Sequence, residues 1–192
     1  TGGRTHDSWG HAHAREIGRK RRLTFVHPYD DPDVIAGQGT IAMEILSQHA
    51  RPIHAIFVPI GGGGLISGMA LAAKGIQPGI EVLGAETQRF PSMYCALKGI
   101  APTFGTTTIA DGIAVKQPGE LTLPLVRSLV SEVLLVDEGD IEQAIVLLLE
   151  VEKTVVEGAG AAGLACLLRY RERFAGRKAG VVLCGGNIDP LM

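Results

Sequence analysis

The chain has 192 residues, 46% hydrophobic and 20% charged, with a formal net charge of −2. That length and composition are enough for one sizeable domain or two small ones and exclude disordered, collagen-like and disulfide-built classes. The near-neutral charge gives no reason to expect nucleic acid or an anionic membrane as partner, and no apolar run reaches the ~18 residues that a membrane span needs.

Along the chain, Ser8 to Lys20 has helical composition and ends in the basic cluster Arg19 to Arg22, which complements a helix C-terminus. Thr24 to Val26 is a short strand candidate, followed by the turn-rich HPYDDPD at 27–33. A helix is expected over Val34 to Gln48, weakened in its first turns by Gly37 and Gly39. Ile53 to Val58 has strand length and apolarity, Leu65 to Ala73 reads as a helix, Glu81 to Ala85 as a strand and Pro91 to Leu97 as a short helix. Pro102 to Gly119 is irregular. A helix at Leu121 to Val130 and a strand at Val133 to Val136 follow, and Asp137 can cap the next helix, about Ile141 to Lys153. Ala161 to Tyr170 is the last helix and Gly180 to Leu183 the last strand.

Short apolar strands alternating with helices predict a single α/β domain: a parallel sheet flanked by helices on both faces, with right-handed crossovers. The three cysteines, Cys95, Cys166 and Cys184, are far apart and form no C-x-x-C pair. They suit a reduced, cytoplasmic compartment and offer no zinc site. The opening TGGRTHDSWG has no signal-peptide core and no initiator Met, which suggests a processed or partial product.

Four consecutive glycines, Gly61 to Gly64, stand between the second predicted strand and the helix beginning near Leu65. Glycine permits positive φ and close backbone approach, so several N–H groups can converge on one anion beside the positive end of the helix dipole. One glycine would serve a plain turn; four point to an anionic ligand, with phosphate the expected group. The loop is not a nucleotide-triphosphate loop, because Gly68 is followed by Met69 and Ala70 rather than Lys and Ser/Thr. A formal G-x-G-x-x-G occurs at Gly158, Gly160 and Gly163, but it follows a helix and no ribose-binding acid lies about 20 residues on. Those small residues are expected to allow close packing or a tight helix start. A second strand-to-glycine junction, GVVLCGGNID at 180–189, places Cys184 at a strand end. From position alone Cys184 reads as a small buried hydrophobe. Two such strand-end loops on one sheet edge could also meet over a flat cofactor.

GGGGL at 61–65, TIADGIAVKQPGELT at 108–122, VVEGAGAAG at 155–163 and LCGGNID at 183–189 occur in this order, with FVHPYDDPDVIAGQGT at 25–40 upstream. Together they resemble threonine dehydratase (threonine ammonia-lyase), a fold-type-II pyridoxal-phosphate enzyme of the tryptophan synthase β-like class, over nearly all of residues 23–192. The resemblance implies pyridoxal 5′-phosphate as cofactor, and deamination of L-threonine, with L-serine as second candidate, to 2-oxobutanoate (or pyruvate) and ammonia. It also implies that Gly61, Gly62, Gly63, Gly64 and the Leu65 N–H cradle the cofactor phosphate. Cys184 takes the place of the Ser, Thr or Cys that hydrogen-bonds the pyridine nitrogen. A neutral partner there leaves the ring nitrogen largely unprotonated and moderates the electron sink.

In that family the Schiff-base lysine sits in an S-F-K-x-R-G-like motif, and an S-x-G-N-H-like segment holds the ring oxygen and substrate carboxylate. None of Lys20, Lys74, Lys98, Lys116, Lys153 and Lys178 has that setting, so no catalytic residue is assigned. Residues 1–22 are expected to be a helical remnant of a small domain, and 23–192 part of the cofactor-binding catalytic domain. Three readings stay open: a lyase that needs the missing half, a truncated non-catalytic fragment that binds pyridoxal phosphate or phosphate, and an unrelated α/β phosphate binder. A half-enzyme would expose apolar surface, so a homo-oligomer is expected, with a small amino acid as substrate and neither nucleic acid nor membrane as partner.

No metal site is expected. His6, Asp7, His11 and His13 resemble a ligand cluster, but residues two apart on a helix face different ways, and a solvated surface is the simpler reading. Glu86 matches a divalent-cation ligand in some relatives, yet Ser92 stands where the accompanying carboxylate would be. Asp111 and Glu157 lie within the shared motifs and are assigned no chemical role.

Overall fold

The structure, a computed structural model, describes residues 6–188, with side chains from residue 13 onward. In chain order the elements are α1 (His6–Arg21), α2 (Pro32–Gln48), β1 (Ala55–Pro59), α3 (Gly64–Ile76), β2 (Glu81–Thr87), α4 (Ser92–Lys98), α5 (Thr122–Leu129), β3 (Glu132–Val136), α6 (Glu138–Glu150), α7 (Gly158–Arg169) and β4 (Ala179–Val181). Single 3-10 segments lie at Asp111–Ile113 and Arg171–Phe174.

The four strands form one sheet in the order β3-β2-β1-β4, and every pairing is parallel. Both faces are covered, as the apolar strands require. Along β1, Ile56 and Val58 point into a core shared with Ile66, Met69 and Ala70 of α3, Ala42 of α2 and Val126 of α5. The alternate residues Ala55 and Phe57 point the other way, into a core built with Ile141 and Leu148 of α6 and Ala161, Ala162 and Ala165 of α7. Phe57 is fully buried there, edge-on to Phe174 at 4.9 Å between ring centroids. A Phe→Ala truncation at such a position costs about 3–5 kcal/mol.

Strand order also locates the binding edge. From β1 the chain moves outward to β2 and β3, then returns over the opposite face through α6 and α7 to place β4 on the other side of β1. The order therefore reverses between β1 and β4, and the loops leaving their carboxyl ends flank the crevice where open parallel sheets bind ligands.

Four expectations need correction. Thr24 to Val26 is not a strand: the stretch is irregular, no strand of the sheet pairs with it, and Val26 is exposed. The α2 helix starts at Pro32 rather than Val34, under an Asp31 cap accepting the Asp33 and Val34 N–H groups, and Gly37 has open space around its Cβ position. A Cβ on Gly39 would lie 3.1 Å from the Gly68 carbonyl oxygen, so this glycine allows α2 and α3 to approach and packing outweighs propensity. Next, α6 begins earlier than expected because Asp137 and Asp140 form a reciprocal capping box, each side chain accepting the other's backbone N–H at 3.0 Å. Finally, α7 begins at Gly158 rather than Ala161, so EGAGAAG is the tight helix start. Its glycines are poor helix formers locally, but they are held against the backbone of Ile109 and Cys184.

No helix among the described residues is long and apolar enough to cross a membrane.

Candidate functional site

At the carboxyl end of β1 the chain turns through Gly61–Gly63 into α3. Gly63 has φ +97°, a conformation that L side chains rarely adopt, and its missing Cβ would lie 2.8 Å from Thr122 Oγ1 and from Met93 Cε. A Cβ on Gly62 would overlap the Tyr29 ring. The loop is thus packed tightly by side chains from three distant segments. Among the described residues, no protein group accepts from the N–H groups of Gly61, Gly62, Gly63, Gly64 or Leu65, while the Ser67 N–H bonds back to the Gly63 carbonyl at 3.0 Å. Five donors without a protein acceptor among the described residues stand at the start of a 13-residue helix, an arrangement that can receive an anion.

The loop lines a cleft of about 330 Å³. Its walls include Pro59, Leu65, Tyr29 and Gln38, together with Gly112, Ile113 and Val115 from the irregular segment after β2. Glu157, Ala159, Cys184 and Gly185 complete it. All six glycine-loop and cysteine residues singled out from the sequence are therefore brought to one cavity: Gly61, Gly62, Gly63, Gly64, Leu65 and Cys184. A larger groove of about 540 Å³ beside Arg15, His27 and Glu120 contains neither the glycine loop nor the cysteine.

Cys184 lies just past β4 and is half-buried. Burial, then the charge of Glu157, pushes its thiol above the ordinary range, so it stands in the cleft as a neutral, protonated group. Cys166 is the contrasting case: fully buried in the α7 core, its thiol is pushed up to about 12 by burial, as for an inert hydrophobe.

Tyr29 and Glu157, to which the sequence motifs give no role, border the same space. Glu157 stands at the N-cap position of α7, accepts the Asn187 N–H at 3.1 Å and lies close against Gly185, which has φ +77°. The cleft is consequently polarised, with bare N–H donors along the Gly61–Leu65 loop and a carboxylate beside a neutral thiol among its other lining groups. An anionic group fits the donors and is repelled by the carboxylate. Asp111 is exposed and accepts the Gly112 N–H at 2.8 Å. The wall it belongs to is anchored by Glu138, which accepts from Thr108 Oγ1 at 2.7 Å and from the Ile109 N–H at 2.8 Å.

Glu86 is buried near the end of β2 and faces the start of α4, where it accepts the Met93 and Tyr94 N–H groups at 2.8 and 2.9 Å and the Ser92 hydroxyl at 3.4 Å. Burial pushes its carboxyl up to about 7 against the lowering effect of those bonds. Its oxygens serve the helix N-terminus. Among the described residues no group of three or more His, Cys, Asp or Glu is arranged to hold a metal ion. The side chains of His6, Asp7 and His11, and Asp189 of the LCGGNID motif, lie outside the described residues.

None of the six lysines lines the cleft. Lys74 Nζ donates to the Ile80 carbonyl, Lys153 Nζ to the Glu150 carbonyl, and Lys98 and Lys116 stand over Tyr94 and Phe104.

A family model described as pyridoxal-phosphate dependent enzyme matches residues 2–185. The chain is 50% identical over 189 residues to an L-threonine ammonia-lyase of Geobacter sulfurreducens, covering 97% of this chain and 46% of that protein. It is 47% identical over 178 residues to an L-threonine ammonia-lyase of Thermotoga maritima, covering 92% and 44%. Among solved structures it matches the threonine deaminase of T.th. with TM-score 0.89 at 35% identity, covering 97% of this chain and 62% of that one. It matches maize serine racemase with TM-score 0.88 at 37% identity, covering 97% and 59%. The chain spans about half the length of the curated relatives it matches.

Proposed function

For this chain, which belongs to the pyridoxal-phosphate dependent enzyme family, we propose the role of cofactor-cradling part of a threonine ammonia-lyase. The activity is deamination of L-threonine, with L-serine as the second candidate, to 2-oxobutanoate or pyruvate and ammonia. Residues 23–192 are part of the catalytic domain in this reading, and 1–22 a helical segment preceding it. Identity of 42–50% to threonine ammonia-lyases and a threonine dehydratase supports the substrate. Serine racemase among the structural neighbours is the reason the substrate needs its own test.

One observation carries the proposal: the bare N–H groups of Gly61–Leu65 and the neutral thiol of Cys184 line a single cleft. The glycine loop and the α3 N-terminus would hold the cofactor phosphate. Cys184 would meet the ring nitrogen as a neutral partner. Ile113, Val115, Pro59 and Leu65 supply apolar wall that keeps water from the ring. Pyridoxal phosphate, when bound, supplies an electron sink for chemistry at the amino-acid α-carbon.

A second reading has its own observation. Because no lysine of this chain lines the cleft, the 192 residues by themselves would bind the cofactor or phosphate without covalent attachment and without turnover. Equilibrium dialysis with pyridoxal phosphate, followed by borohydride reduction and peptide mass mapping, separates the two. Non-covalent uptake with no lysine adduct supports the binding-only reading for this chain in isolation. Release of 2-oxobutanoate from threonine by this chain alone overturns it. Failure to take up either phosphate or cofactor overturns the cradle itself. Self-association belongs to the same proposal. Leu23, Val26, Met43 and Leu71 are exposed apolar residues, and size-exclusion chromatography that shows only monomer at high concentration counts against it.

A further inference from the structure

The HPYDDP segment and the QPGELT segment are more than 80 residues apart in the chain and meet behind the glycine loop. The half-buried carboxylate of Asp30 accepts the backbone N–H groups of Glu120 (2.9 Å), Leu121 (2.9 Å) and Thr122 (3.3 Å), the approach to α5. Those N–H groups have no helical acceptor of their own, so one carboxylate from another part of the chain satisfies the start of this helix. Gly119 must be glycine for this to happen, because a Cβ there would overlap the Asp30 carboxylate. The turn that Asp30 holds then reaches the loop. Thr122 Oγ1 donates to the Gly62 carbonyl at 2.6 Å, and the Gly119 N–H donates to the same oxygen at 3.1 Å.

A peptide unit is planar and trans, so its C=O and N–H point in opposite directions. Two donors on the Gly62 carbonyl therefore decide where the Gly63 N–H points: away from the 119–122 turn. Gly63 itself sits at φ +97°, and glycine without such a restraint samples positive and negative φ about equally.

We propose that Asp30 is a positioning residue for the phosphate cradle. It holds the 119–122 turn so that Thr122 and Gly119 lock the Gly62 carbonyl, which presents the Gly63 N–H to the cleft. The proposal rests on the cradle reading above for its ligand and on the Asp30–Thr122–Gly62 geometry for its mechanism.

The test is amide NMR on the 15N-labelled chain, comparing wild type with Asp30→Asn, Thr122→Val and Thr122→Ser, each titrated with inorganic phosphate and with pyridoxal 5′-phosphate. The expected result is that Asp30→Asn and Thr122→Val shift the Gly61–Leu65 amides and speed their exchange well beyond the rest of the chain. Affinity for both ligands falls about tenfold, as loss of one strong hydrogen bond predicts. Thr122→Ser, which keeps the hydroxyl, behaves as wild type. If Asp30→Asn does not fold, the Val and Ser pair at 122 carries the comparison. Loop amides that stay in place, or that move no more than those elsewhere, overturn the proposal. If the loop amides move as expected but wild type responds to neither ligand, the hold of Asp30 on the loop stands and the cradle reading fails.

Discussion

The carbonyl oxygen of Cys184 occupies the space a Cβ on Gly160 would need, with the Cys184 carbonyl carbon only 2.8 Å from that Cβ position. The first turn of α7 is seated directly against the backbone that carries the cleft thiol. Gly160→Ala therefore has to displace one of them. We expect a stability loss of about 1–3 kcal/mol, the usual cost of overpacking, together with faster alkylation of Cys184. Urea denaturation and thiol labelling by mass spectrometry check both, with buried Cys95 and Cys166 as internal references. A variant as stable as wild type with unchanged Cys184 labelling would show that α7 and this loop are not coupled.

Gly63 and Gly75 both belong to the stretch around α3 and should respond in opposite directions. Gly63→Ala puts a side chain at φ +97° and within 2.8 Å of Thr122 Oγ1, for an expected loss of about 1–3 kcal/mol and weakened phosphate binding. Gly75 has open space around its Cβ position inside the same helix, so Gly75→Ala should stabilise by about 0.4–1 kcal/mol without touching binding. Paired denaturation and phosphate titration decide this. Equal effects at the two sites would contradict it.

Glu86 gives the fold a pH dependence with a defined sign. Its folded carboxyl lies near 7 and its ordinary value is 4.5, so the folded state binds the proton more tightly. Its contribution is fully present below about pH 4.5 and is lost as pH rises through about 7, by on the order of 3 kcal/mol. Glu86→Gln carries no charge to desolvate and should flatten the stability profile between those pH values. Denaturation midpoints measured across this window test it, and a variant that keeps the wild-type slope rules out Glu86 as the source.

Glu157 is the charge that helps hold the Cys184 thiol protonated. Glu157→Gln removes that charge and leaves burial, the larger cause, in place. The thiol pKa should fall toward the ordinary range without reaching it. The pH dependence of Cys184 alkylation measures the shift directly. An unchanged or raised pKa would mean that Glu157 does not act on the thiol.

Most of the fold was legible because each cue was local. Asp137 before an acidic first turn marks the start of α6, and the apolar run Ile53 to Val58 has the length of the strand found at Ala55–Pro59. The differences are tertiary in origin, apart from the early start of α6, which the local Asp137–Asp140 capping box explains. Thr24–Val26 has strand composition but no neighbour to pair with, and Gly158 and Gly160 lie in α7 where the Ile109 and Cys184 backbones leave no room for a Cβ. At the site, the glycine run reads as chemistry from its own residues, whereas Cys184 reads as a small buried hydrophobe until the family resemblance gives it a cofactor contact. Tyr29, Asp30 and Thr122 were visible only as letters in motifs, because what they do is act on a loop far along the chain.

Strand–helix alternation, a glycine loop suited to an anion and the absence from these residues of a lysine in the family's setting are all legible in the amino-acid order. These follow from side-chain periodicity, from the φ freedom of glycine and from simple inspection. That β4 returns to lie beside β1, so that Cys184 and the glycine loop share a cleft, is set by tertiary packing. So is the reach of Asp30 to residues 90–92 positions away, which holds the turn behind that loop. Strand order and long-range hydrogen bonds are settled by which surfaces bury each other in three dimensions, and no local pattern along the chain encodes that choice.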